Sequence, residues 1–211
     1  LNPLIEEAGA GDLMVSRGQI SIWSTKEGAA DAERGLARRR AHGDEMVDLA
    51  PGLAREMEPG IALPIERAVH FPAARHVMDP QGLVRRLHAR FEEIGGVTRV
   101  ARALRVAESP EGVSVVTDGE EVEAGRVVIA SGAFSRQIAG SGAEDLPLGT
   151  ERGYHLMFAE EAGRVTRPVG WGEGGFYATP MAAGLRLAGT VEIASLNKAV
   201  NRERLSYILR K

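Results

Sequence analysis

Cysteine is missing from this chain altogether, which removes disulfides, thiolate metal sites and cysteine nucleophiles at once. That absence fits a reducing compartment, and a cytoplasmic setting is the expectation. Aromatic residues are scarce, at 5% of the total, so few platforms exist on which nucleic-acid bases could stack. Positive charge is not in excess either. A net charge of −3 supplies no basic field for a phosphate backbone. No apolar run approaches the roughly 20 residues that cross a bilayer, and no signal-peptide pattern opens the chain. A transmembrane segment is therefore not expected. His70, His76 and His88 show no close ligand spacing with a second histidine on one helix or strand face, so no metal site is expected.

What is present describes an ordinary globule: 211 residues, 44% apolar and 26% charged, enough to bury roughly 70% of the unfolded surface. One large domain or two small ones would fit. The chain starts at Leu1 and stops at Lys211, inside what reads as an amphipathic helix over 200–211. Both ends read as cut, which predicts an internal fragment of a longer protein.

The organising stretch runs from Glu123 to Ser135. Val127 to Ala130 form an unbroken apolar run, which predicts a short strand buried on both faces. It stops at Ser131, Gly132 and Ala133, where small residues permit a sharp turn and close approach by another group. Open α/β sheets place ligands at such strand ends. A plain strand-to-helix turn explains the same residues.

Around it the patterns are more regular. Ile20 and Ile22 flank Ser21 in a strand near 18–23. Residues 27–42 read as a helix with a narrow stripe (Ala29, Ala32, Leu36) and a basic outer face. Arg38, Arg39 and Arg40 read as a solvated face with acids nearby rather than a phosphate site. Between Glu45 and Gly60 the pattern gives a short strand and then a short helix opened by Pro51; Arg67 to Phe71 is another strand. Asp79 and Pro80 open the clearest helix, 80–94, with Leu83, Val84, Leu87, Phe91 and Ile94 on one face and Gly95 as its stop. A three-stranded meander follows at 97–106, 112–117 and 120–124. Strands at 151–158, 175–181 and 185–193 come next, the last two forming a hairpin through Ala182 to Gly184.

Several of these stretches, taken in order, resemble one family. They are His76 to Leu83 opening a helix, Val127 to Ser135, Glu151 to Tyr154, Gly175 to Pro180, and Leu185 to Glu192. Together they resemble the FAD-dependent amino-acid oxidases and dehydrogenases that include D-amino-acid dehydrogenase, glycine oxidase and sarcosine oxidase. The likeness runs from about Asp12 to Leu205. Two family features are missing. No G-x-G-x-x-G turn follows a buried strand, since Gly140-Ser141-Gly142 and Gly172-Glu173-Gly174 lack the third glycine. The G-L-R-P arginine is missing too, because Gly184-Leu185-Arg186 is followed by Leu187 and sits at a hairpin.

The resemblance implies an α+β fold with a mixed, mostly antiparallel substrate-domain sheet and a residual piece of an FAD-binding domain. Residues 1–72 and 143–211 would form the substrate part and 73–142 the flavin part. It also implies FAD as cofactor and hydride removal from the Cα–N bond of an amino acid or amine, with the fragment alone inactive. Ser131, Gly132 and Ala133 would pass close to the cofactor. Leu104 would meet the adenine through its backbone, although an ordinary meander residue explains it equally. Tyr177 would reach the substrate carboxylate, and Glu192 would line the pocket above the flavin. Against those roles stand a rim tyrosine with a wet tip and a solvated strand-face carboxylate. His155 reads as a structural hydrogen-bonding group, not a general base. Two other readings stay open: an amine oxidase, and a non-catalytic α+β module binding a protein or small acidic ligand.

Overall fold

The computed structural model describes residues 2–110 and 112–210. The chain forms two compact units: 1–95 with 153–191 and 201–211, and 96–152 with 192–200. These bounds differ from the divisions drawn from the resemblance. The helix from Pro80 onward belongs by its contacts to the first unit rather than standing with the meander.

The first unit is built around strands that alternate or run apolar. It opens with α1 (Asn2–Glu7), β1 (Met14–Val15) and β2 (Gln19–Trp23). Next are α2 (Lys26–Ala41), β3 (Val47–Leu49), α3 (Pro51–Met57) and β4 (Arg67–Phe71). The short β5 (His76–Val77) pairs with β1, and α4 (Pro80–Glu93) follows it. The meander β6 (Ala103–Ser109), β7 (Gly112–Thr117) and β8 (Glu121–Ala124) comes next. The chain then supplies β9 (Glu151–Phe158), β10 (Val169–Trp171), β11 (Phe176–Met181), β12 (Gly184–Ile193) and α5 (Arg202–Leu209).

Seven strands make one mixed sheet in the order β3-β4-β2-β10-β11-β12-β9. β2 and β10 run parallel, and the pairs β3–β4, β2–β4, β10–β11 and β11–β12 are antiparallel. This is the mixed, mostly antiparallel sheet that the family resemblance implies. Ile20 and Ile22 are fully buried on one face with Ala54, Ala68, Val165 and Val169, which makes β2 the centre of the core. On the opposite face Leu36 of α2 packs against Val69 and Phe71.

Helix ends follow local chemistry. Thr25 accepts from the Gly28 amide at 3.0 Å to cap α2, and Arg38, Arg39 and Arg40 sit in its last turn, where the helix dipole favours cations. Arg39 pairs with Asp44, and Arg40 with Glu33 and Asp48, the ion pairs of a solvated face. Asp79 caps α4 by accepting from Gly82 at 2.9 Å, and Gly95 (φ +94°) ends it. Only part of the α4 stripe is used, however. Leu83 is buried with Ile5 and Ala10, whereas Val84, Phe91 and Ile94 are exposed.

A polar clamp was invisible in the sequence. Glu58, wholly buried, accepts from the Thr166 amide at 2.8 Å and the Thr166 hydroxyl at 2.5 Å, and pairs with Arg167 Nε at 2.8 Å.

In the second unit, β6-β7-β8 forms the expected meander, with its first strand beginning later than the apolar pattern suggested. The predicted buried strand at Val127–Ala130 is not formed: Val128 is 88% exposed and the segment is irregular. A strand exists by pairing, and no neighbouring strand among the described residues pairs with it. Val127, Val128 and Ala130 are exposed, and Ile129 is half-buried.

Candidate functional site

The register of the large sheet sets Ser21, Gly170, Tyr177 and Ala188 in one row across β2, β10, β11 and β12. Side chains in one row share a face, so the bare Gly170 leaves room over β10. The Tyr177 ring fills part of it: a Cβ on Gly170 would stand 2.6 Å from that ring. Beside it lies a hollow of about 270 Å³ walled by four aromatic side chains (Trp23, Trp171, Phe176, Tyr177), Ser21 and glycines 170, 172 and 175. Trp171 and Phe176 meet edge to face at 87°, with centroids 5.6 Å apart. The Trp171 indole donates to Ser24 Oγ at 3.0 Å.

Glu173 holds the turn that carries two of those glycines. One carboxylate oxygen accepts from the Ser24 amide (2.8 Å), the Thr25 amide (2.9 Å) and the Thr25 hydroxyl (3.0 Å). Burial pushes its pKa up, but the amides of Glu173, Thr25 and Ser24 and the Thr25 hydroxyl outweigh it, and the net shift is downward.

Tyr177 is 41% exposed and lines the hollow. Glu192 is not the solvated carboxylate of the alternative reading. It is only 5% exposed and pairs with Lys198 Nζ at 2.6 Å. The two do not face each other in the hairpin: Tyr177 is opposite Ala188, and the β11–β12 register ends at Phe176 and Gly189. Tyr177 falls in the first unit and Glu192 in the second. His155 lines a separate cavity of about 630 Å³ with Met78, Asp79, Met157 and Met181.

In the second unit, Ser131 opens a 3-10 turn (Gly132–Gln137), and its hydroxyl lies 3.1 Å from that of Ser135. Gly132 adopts φ +54°, and a Cβ there would meet nothing within 4 Å. The corner is open and side-chain-poor. Leu104 sits on β6 with its carbonyl accepting from Ala139 at 3.0 Å. Nothing within 4 Å of the Gly132 Cβ position obstructs the main chain. A pyrophosphate cradle is another matter, since the glycine-rich motif is not in the sequence.

The aromatic wall escaped the sequence reading because its members come from distant strands. The available signal was Gly170-Trp171-Gly172, an indole between two residues without side chains. Among the described residues no cluster of three or more His, Asp or Glu could hold a metal ion, and no helix is long and apolar enough to cross a membrane.

The fold is shared with a solved amino-acid oxidase and a solved amino-acid dehydrogenase. Glycine oxidase from Geobacillus kaustophilus superposes with a TM-score of 0.81 at 23% identity, over 99% of this chain and 56% of that one. L-proline dehydrogenase from P. horikoshii does so with a TM-score of 0.79 at 17% identity, over 99% and 57%. A curated relative, the D-amino-acid oxidase of Bradyrhizobium diazoefficiens, is 31% identical over 207 residues, covering 97% of this chain and 49% of the relative. The DAO family model, FAD dependent oxidoreductase, matches residues 2–211. The chain belongs to the FAD-dependent oxidoreductase family, DAO type, and spans about half the length of the curated relative it matches.

Proposed function

We propose that this chain is part of an FAD-dependent oxidoreductase that oxidises the Cα–N bond of an amino acid. A hydride leaves the α-carbon as the amine becomes an imine, which water hydrolyses to a keto acid and ammonia. FAD, when bound, supplies the hydride acceptor. The observation that carries the reading is the Tyr177 phenol laid over a side-chain-free Gly170, on a family match running the length of the chain. That phenol donates to the substrate carboxylate and fixes its orientation. Main chain at Ser131, Gly132 and Ala133, with Leu104, would lie against the cofactor. Glu192, held by its ion pair with Lys198, would line the pocket above the flavin as a fixed carboxylate. The cysteine-free composition supports a reducing, cytoplasmic setting.

The test is Tyr177→Phe in the full-length protein. Loss of one hydrogen bond to a charged group should raise KM about tenfold, with kcat within a few-fold. Unchanged KM for every amino acid tried would remove Tyr177 from the site. An amine oxidase is the second reading, and Tyr177→Phe separates it too, because a substrate without a carboxylate loses nothing.

A further inference from the structure

The hollow beside Tyr177 has no charged residue in its wall. Two of its polar atoms are already used: Ser21 Oγ accepts from Gln19 at 3.1 Å, and the Trp171 indole donates to Ser24. An acidic or basic side chain entering it would give up part of its hydration without gaining a counter-charge. An apolar group would lose nothing.

Size narrows the occupant. Apolar cavities near 150 Å³ take benzene, and sites for whole drug-sized ligands start at roughly 300 Å³. At about 270 Å³ the hollow holds one ring or branched alkyl group together with the α-carbon that bears it. A caged ammonium is disfavoured because Trp171 and Phe176 present edge to face to each other at 5.6 Å, which takes up ring surface a cation would need.

The wall is also pre-set. A Cβ on Gly172 would stand 2.2 Å from the Trp23 indole nitrogen, so that ring lies against bare backbone. Glu173 ties the same turn to the start of α2 through Ser24 and Thr25. A site fixed before binding loses little entropy on closing around its ligand.

We propose that this hollow is the side-chain subsite of the enzyme and selects amino acids with an aryl or branched aliphatic side chain over glycine-sized, acidic or cationic ones. The assignment rests on the amino-acid reading of Tyr177 given above, which places the polar end of the substrate at that phenol.

Both tryptophans of the chain, Trp23 and Trp171, line the hollow, so intrinsic fluorescence reports on it directly. The 211-residue chain would be titrated with phenylalanine, leucine, glycine and aspartate, in both enantiomers for the chiral three, and with tetramethylammonium. Saturation-transfer NMR on the same samples gives a second readout independent of the indoles. Phenylalanine and leucine should change the emission saturably, at half-saturation at least tenfold below glycine and aspartate. Phe176→Leu should weaken phenylalanine severalfold with circular dichroism unchanged; should that variant unfold, the wild-type ranking by both readouts decides alone. Equal or tighter saturation by glycine or tetramethylammonium overturns the proposal, as does no response to any probe by either readout. Turnover by the full-length FAD-loaded protein is scored separately. Oxidation of small amino acids with an unresponsive hollow sinks the subsite alone. Phenylalanine binding without oxidation of any amino acid sinks the oxidoreductase reading instead.

Discussion

Glu58 and Arg167 meet at 2.8 Å, with the Glu58 side chain completely withdrawn from solvent. They join the end of α3 to the segment that leads into β10. The carboxylate also takes the Thr166 amide and hydroxyl, so its oxygens are well satisfied. Removing one partner of such a pair strands the other in a dry environment. Glu58→Ala should cost about 3–5 kcal/mol, read as a lower denaturant midpoint with the slope kept. A cost below about 1 kcal/mol would show that water reaches Arg167 freely.

Acid should loosen the Glu173 clasp. Its folded-state pKa lies below the ordinary carboxylate value, so it adds stability that is fully present above the unfolded pKa. That contribution fades as pH falls below the ordinary carboxylate value and through the lowered folded one. Thermal melts of the parent and of Glu173→Gln, followed by tryptophan emission between neutral pH and pH 3, should converge as the solution becomes acidic. A gap that is constant with pH would assign the loss in the variant to packing.

Gly132 tests whether its corner is strained, crowded or neither. An added Cβ meets nothing within 4 Å, so only the left-handed φ of +54° opposes a side chain. Gly132→Ala should cost about 1–2 kcal/mol of stability. Gly60→Ala is the contrast, because its Cβ would stand 1.9 Å from the Arg164 carbonyl oxygen. That substitution should cost more than Gly132→Ala in the same denaturation assay.

The chain should bind FAD poorly alone. Titration of the 211-residue chain with FAD, followed by flavin fluorescence, should give no tight stoichiometric complex, because the glycine-rich pyrophosphate turn is not in it. A sharp equivalence point at micromolar protein would contradict this.

The elements that could be read from sequence carry their own signals. Asp79 and Pro80 announce α4, Gly95 closes it, and Ile20 and Ile22 mark β2, since caps and short apolar periods act within a few residues. What failed depends on distant partners. Val127 to Ala130 has the composition of a buried strand, yet composition supplies no hydrogen-bonding neighbour. β10 escaped because three residues with a glycine in the middle have no period, and β1 and β5 because two residues cannot show one. At the site, Tyr177 could be picked out by resemblance. The aromatic wall could not, because Trp23 and Trp171 become neighbours only when β2 and β10 align in parallel.

The two longest helices, α2 and α4, each direct their electropositive end at a carboxylate belonging to the chain itself, Glu173 for one and Asp79 for the other. A free nucleotide diphosphate arriving at either end would find the seat taken and would have to evict a covalently tethered competitor of the same charge sign. Each of these helix starts thus already has a fixed carboxylate beside it, and a second anion would meet that like charge there.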